Sequence, residues 1–177
     1  WIVLIRTWLM SCMFVIDRDP PRYTRKGSSA ASDGYKRQDV GYLLALTGNP
    51  DINKYALNKF SRQFGERGSF RLVSTQEILD NNNNPKEGLF SYKDDFGSLI
   101  EVTRKYPSIQ EIDLDDKEHY EKLIEITNND AEIIPFFVKD LEGEFHIISS
   151  HNLNLLKSIK KGYKLVYLGK PFDVEVV

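Results

Sequence analysis

The most constraining feature of this chain is an unbroken apolar run, Tyr42-Leu43-Leu44-Ala45-Leu46-Thr47, that stops at Gly48-Asn49-Pro50-Asp51. A run without polar alternation suits a strand covered on both faces, as in a parallel sheet. Asn49 is placed to cap a helix and Pro50 to occupy its first position, where a missing N–H costs nothing. Ile52, Tyr55, Ala56, Phe60 and Phe64 then recur at helical spacing, which predicts that they face the core and leaves Asn53, Lys54, Lys59 and Arg62 on the wet side. Gly65 ends the helix, and Phe70-Arg71-Leu72-Val73 reads as the next strand. Strand, helix and strand joined by short connections make a parallel, right-handed βαβ unit. The fold class expected is therefore α/β, with a Rossmann-like parallel sheet that is incomplete at the N-terminus.

On either side of this unit the signals are weaker. The opening WIVLIRTWLMSCMFVI is apolar, but Arg6 interrupts it and Asp17-Arg18-Asp19 ends it. It falls short of the roughly 20 residues a spanning helix needs. No basic leader precedes it and no small-residue cleavage site follows it, so a signal peptide fits poorly. Buried core is the expectation, with Met13–Ile16 as a short strand and Ile5, Trp8 and Leu9 in a helix packed on it. Opening on Trp1, the chain is expected to be a piece of a longer polypeptide. Pro20-Pro21 forbids regular helix in the polar, basic segment that follows, and Gly27-Ser28-Ser29 is a weak further strand end.

Asn81–Lys86 is a run of turn formers and the natural boundary, giving a Rossmann-like domain over 1–80 and a C-terminal α+β lobe over 81–177. In that lobe Asp94 is expected to cap a helix carrying Phe96, Leu99 and Ile100. Asp115 with Glu118 resembles a capping box, opening a helix with Tyr120, Leu123 and Ile124 inward. Ile133–Val138 and Phe145–Ile148 flank Asp140-Leu141-Glu142-Gly143 and predict a β-hairpin, and Lys164–Leu168 is a closing strand.

Charge and cysteine content narrow the function. Lys and Arg number 24 against 26 Asp and Glu, a net charge of −2, which argues against a nucleic-acid binder. The single cysteine, Cys12, cannot form an internal disulfide and points to a reducing compartment.

Ligands of open α/β sheets sit beyond the carboxyl ends of strands. Asp17 and Asp19 follow the first strand, where a carboxylate accepts hydrogen bonds from ribose hydroxyls or simply caps a solvated turn. Thr47, Gly48 and Asn49 follow the second, where the free N–H groups of a helix start attract a phosphate or carboxylate, or the cap satisfies only its own backbone. A Gly-x-Gly-x-x-Gly turn is not found, nor is a P-loop. His119, His146 and His151 have no metal-ligand spacing, and Cys12 in an apolar run reads as inert packing. The acidic group Asp113, Asp115, Asp116 and Glu118 reads as a solvated helix start. Arg18, Arg22, Arg25, Lys26, Lys36 and Arg37 form a basic cluster that suits phosphate, anionic lipid or a solvated loop. These residues supply no catalytic set and no metal site.

The stretch YLLALTGNPDINKYALNKFSRQFGERGSFR, Tyr42–Arg71, resembles the cytoplasmic C-terminal module of bacterial monovalent cation/proton antiporters, a TrkA-N (RCK-like) domain. The family pattern is an apolar strand ending in Leu-x-Thr-x-Asn, a helix opening with an Asn and closing at Phe-Gly, then a strand. Here those residues are Leu44 or Leu46, Thr47, Asn49, Asn53, Phe64 and Gly65. Phe14–Pro20 is similar to the family's second strand with its acidic end. Gly88-Leu89-Phe90, Pro135–Val138 and Gly162–Leu168 follow its later layout.

The resemblance implies a non-enzymatic regulatory module at the cytoplasmic face of the cell membrane. It would be carried by the membrane transport domain of the same polypeptide, pair as a homodimer and bind no nucleic acid. A ligand would lie in a crevice between Asp17 and Asn49; the cofactor is unassigned, with NAD(H) or an adenine nucleotide as the candidates. The alternative is an NAD(P)- or nucleotide-dependent oxidoreductase-like enzyme on a Rossmann half-fold, and a third is an interaction domain marked by an exposed apolar patch.

Overall fold

The computed structural model describes residues 13–16 (by their backbone alone), 42–65, 68–81, 85–90, 95–149 and 158–172. Strand β1 is Met13–Ile16, β2 is Tyr42–Ala45, helix α1 is Pro50–Phe64 and β3 is Ser69–Arg71. These strands form one sheet in the order β1-β2-β3. Helices α2 (Thr75–Asn81) and α3 (Phe96–Lys105) come next. A second sheet then uses β4 (Ile109–Leu114), β5 (Ile133–Lys139), β6 (Phe145–Ile147) and β7 (Tyr163–Gly169), with helix α4 (Lys117–Asn129) between β4 and β5. Its order is β4-β7-β5-β6, and every pair in it is antiparallel.

The fold is thus mixed α/β, and only β2 and β3 are parallel, Leu44 lying opposite Phe70. The sheet is not parallel throughout: β1 runs antiparallel to β2, with Met13 opposite Ala45 and Ile16 opposite Tyr42. A four-residue apolar run specifies burial but carries no direction, which is set by the connection to the next strand.

Helix α1 starts and stops where its punctuation places it. The Asn49 side chain accepts from the Asp51 and Ile52 N–H groups at 2.9 and 3.2 Å, and Gly65 leaves the helix at a φ of 71°. Its buried face differs from the expected one. Asn53 is 1% exposed and Ala56 8%, whereas Ile52 and Tyr55 are 53% and 64% exposed. Ala56 is buried and Phe60 and Phe64 are half-buried, as expected, so the difference is confined to the first turns of the helix, for a reason found in the β2–α1 turn. Two later caps sit one residue beyond their expected places. Asp95 rather than Asp94 caps α3, and Asp116 rather than Asp115 caps α4 by accepting from the His119 N–H.

Alternation along the second sheet sends side chains into two cores. Ile134, Ile147 and Leu168 join Leu99 and Val102 of α3 together with Leu44, Phe70 and Leu72 of the first sheet. Ile133, Leu165 and Tyr167 join Tyr120 and Leu123 of α4. A bulge between Pro135 and Phe137 resets this alternation, so Phe136 and Phe137 both pack toward the α3 side and Val138 returns to the α4 side. Proline is tolerated inside a strand at such a break. The predicted hairpin is β5–β6, and its turn is organised by Asp140, whose carboxylate accepts from the Glu142 and Glu144 N–H groups at 2.9 and 2.8 Å and bonds His146.

At the far end of β7, Gly169 has a φ of 134° and faces Ile133. A Cβ there would collide with the Glu132 carbonyl, which already accepts from the Lys170 N–H at 3.0 Å. Gly169→Ala is expected to destabilise the chain by about 2–4 kcal/mol, read as a lower denaturant midpoint at unchanged slope.

Candidate functional site

The β2–α1 turn is built around the Asn53 carboxamide. Its Oδ1 accepts from the Thr47 N–H at 3.0 Å and from the Thr47 hydroxyl at 2.7 Å, and its Nδ2 donates to the Thr47 carbonyl at 2.9 Å. One buried side chain therefore bonds the N–H, hydroxyl and carbonyl of Thr47, two residues beyond the end of β2. The Asn49 N–H reaches the Thr47 hydroxyl at 3.3 Å, and the Asn49 carbonyl receives the Asn53 N–H at 3.1 Å. Asn53 acts as a clasp holding the last turn of strand to the first turn of helix.

Gly48 lies beneath the ring of Phe96 at the start of α3, where a Cβ would fall 2.8 Å from Phe96 Cδ1. Its lack of a side chain admits that ring. Beside it Asp95 accepts from Ser98 N–H at 2.9 Å and from the Thr75 hydroxyl at 3.2 Å, tying α3 to the start of α2. The Ser98 backbone bond holds the Asp95 carboxyl below the usual range, against the opposing effect of burial.

A charged cluster adjoins the turn. Arg71, with 3% of its side chain exposed, grips Glu77 with two parallel bonds, Nη1–Oε2 at 2.9 Å and Nη2–Oε1 at 2.7 Å. Its Nε and Nη2 also reach Glu87 Oε1 at 3.3 and 3.2 Å, and Lys54 of α1 meets Glu77 at 3.1 Å. Burial alone would lower the Arg71 pKa, but the bonds and charges of Glu77 and Glu87 outweigh it and raise it. The hydrogen bond from Arg71 is the main cause that lowers the Glu77 carboxyl, assisted by Lys54 and opposed by burial. An arginine inside the apolar run Phe70–Val73 is itself the sequence signal for this cluster, because a buried guanidinium requires carboxylate partners.

Of the residues singled out from sequence, Thr47, Gly48 and Asn49 come together in this turn. Asp17, Asp19, Cys12, His151 and the basic cluster of 18–37 lie outside the described residues. The antiparallel register sets Ile16 beside Tyr42, so the carboxyl ends of β1 and β2 point to opposite ends of the sheet. Among the described residues, no group of three or more His, Cys, Asp and Glu is arranged to hold a metal, and no helix is long and apolar enough to cross a membrane. Comparison of the chain with protein-family models, with curated proteins and with solved structures finds no match.

Two outcomes test this geometry. Asn53→Ala removes three side-chain bonds and is expected to cost about 2–4 kcal/mol. In a double-mutant cycle it should couple to Thr47→Val by about 1 kcal/mol, the clasp being absent if the two losses simply add. The second concerns pH. Glu77 is lowered on folding, so its contribution is complete above the ordinary glutamate value of 4.5 and is lost as pH falls through the lower folded value. Chemical denaturation across that window should show stability falling with acidification, with a shallower fall in Glu77→Gln.

Proposed function

We propose that this chain is a cytosolic regulatory, ligand-sensing module of a membrane monovalent cation/proton antiporter, without catalytic activity of its own. Transport belongs to the membrane domain of the same polypeptide, and the β2–α1–β3 unit is the Rossmann-like half of the module. One observation carries the reading: Thr47, Asn49 and Asn53, on which the family resemblance rests, bond to one another as a single turn. The pattern thus has a physical basis in this chain, since each of the three satisfies a backbone group that the other two leave open.

The turn also defines what a ligand must do. The first free N–H groups of α1, those of Asp51 and Ile52, are occupied by the Asn49 side chain. An anionic ligand binds there by displacing Asn49 and drawing on the positive end of the helix. NAD(H) and adenine nucleotides are the candidates to test first. The outward Ile52 and Tyr55 of α1 favour pairing of two copies, because exposed apolar side chains on one helix face suit a partner surface.

Thermal unfolding of the chain with NAD+, NADH, ATP, ADP and cyclic dinucleotides tests the sensor. A ligand present at roughly a hundredfold excess over its dissociation constant adds about 2.7 kcal/mol, a clear rise in Tm. Absence of a rise with every one of them would overturn ligand sensing. Sedimentation showing monomer alone at micromolar concentration would overturn the homodimer.

A further inference from the structure

Residues 87–90 hydrogen-bond to both sheets. The Arg71 N–H donates to the Glu87 carbonyl at 2.9 Å and the Leu89 N–H to the Arg71 carbonyl at 3.0 Å, adding the segment to the edge of β3 in parallel. One residue later the Phe90 N–H donates to the Ile148 carbonyl at 3.0 Å, and Leu89 bridges Ser149 antiparallel. The segment is a stitch between the sheet of β2 and β3 and the sheet of β5 and β6.

Two features set this stitch apart from an ordinary connection. Phe90 has a φ of 59° although it carries a bulky side chain and is 5% exposed. Such a residue in the left-handed region is uphill in energy and persists only where its surroundings hold it. Its ring is held by stacking on Phe136, centroids 5.0 Å apart and planes at 24°. The second feature is the asymmetry of the Arg71 grip. Glu77 is bound bidentately and its side chain is 11% exposed, whereas Glu87 is reached through one oxygen at longer range and is 36% exposed. If Glu87 leaves, Arg71 keeps Glu77 and no buried charge is stranded.

We propose that Glu87–Phe90 is a releasable latch between the two sheets, closed by the Arg71–Glu87 arm and opening as one unit while both sheets stay folded. The relaxation of Phe90 favours opening; its stacking and the Arg71 arm favour closure. Lys54, Glu77 and Arg71 form a continuous ionic chain from the first turns of α1 to the latch. The latch stands on this geometry alone and does not depend on the transporter reading.

Native-state hydrogen exchange on the chain tests it. The amides of Arg71, Leu89 and Phe90 should share one opening step, easier than that of Leu72, whose N–H donates to Ala45 within the sheet. Glu87→Gln should speed the three together by about fivefold and leave Leu72 and Tyr106 unchanged. Phe136→Leu, which weakens the stack from the other side, should give the same pattern. Lys105→Gln, which breaks an exposed pair with Glu132, should move none of them. The latch is overturned if the three amides exchange independently, if they open only together with Leu72, or if Glu87→Gln changes every amide equally or none.

Discussion

A guanidinium sealed inside β3 has no water to turn to, and the placement of three other segments follows from the need to pair it. Moving an unpaired ion into a protein interior costs several kcal/mol even after relaxation. Arg71 therefore selects an arrangement in which α2 delivers Glu77, residues 87–90 deliver Glu87, and Lys54 of α1 balances the surplus negative charge. Such a group adds little net stability compared with a well-packed apolar substitute. Its weight lies in specificity. Losing Glu77, the bidentate partner, costs about 3–5 kcal/mol, against a whole-domain stability of about 5–15 kcal/mol. Alternative placements of α2 are thereby excluded, while the stitch is held by the weaker Glu87 arm.

The orientation of α1 is decided by a similar contest between polar and apolar terms. Turning Ile52 and Tyr55 inward would gain about 1.5–3 kcal/mol for each side chain. It would also carry Asn53 out to solvent and take the side-chain partner from the N–H and carbonyl of half-buried Thr47, about 1–3 kcal/mol for each group, while the hydroxyl keeps Asn49. The polar loss is of the same size as the apolar gain, and the helix settles with the carboxamide inside. Tyr55 finds partial compensation in Lys59, whose ammonium lies 5.7 Å from its ring centre.

That contest explains what was legible in the sequence and what was not. The bounds of α1 were readable because Asn49-Pro50 and Gly65 act locally, and the β5–β6 hairpin was readable because Asp140 organises its own turn. The inward face of α1 was readable at Ala56, Phe60 and Phe64 but not in the first turns, since hydrophobic periodicity assigns asparagine to water and has no term for a carboxamide matched to a turn residue six positions away. Each misplaced cap fell on the first residue of an Asp-Asp pair, where either carboxylate serves equally well until the helix axis is fixed. Strand direction was hidden for another reason. The run Met13–Ile16 is equally apolar read either way, and its pairing depends on chain far from it. Thr47, Gly48 and Asn49 are legible from their position just past an apolar run, whereas Arg71, Glu77 and Glu87 are far apart in the chain and only the fold brings them together.

The clasp and the ionic cluster meet in adjacent residues, and this bears on how the turn could influence the rest of the molecule. Asn53 holds Thr47 while Lys54 holds Glu77, so both contacts sit on one turn of α1. A helix is stiff over a single turn, and a displacement that opens the clasp also moves Lys54 relative to the Arg71 cluster. Coupling of this kind becomes regulation only when a ligand binds the two arrangements with different affinity. In this turn the Asn49 side chain takes the N–H groups of Asp51 and Ile52, so any partner of the helix start competes with that cap before it can act on the clasp beside it.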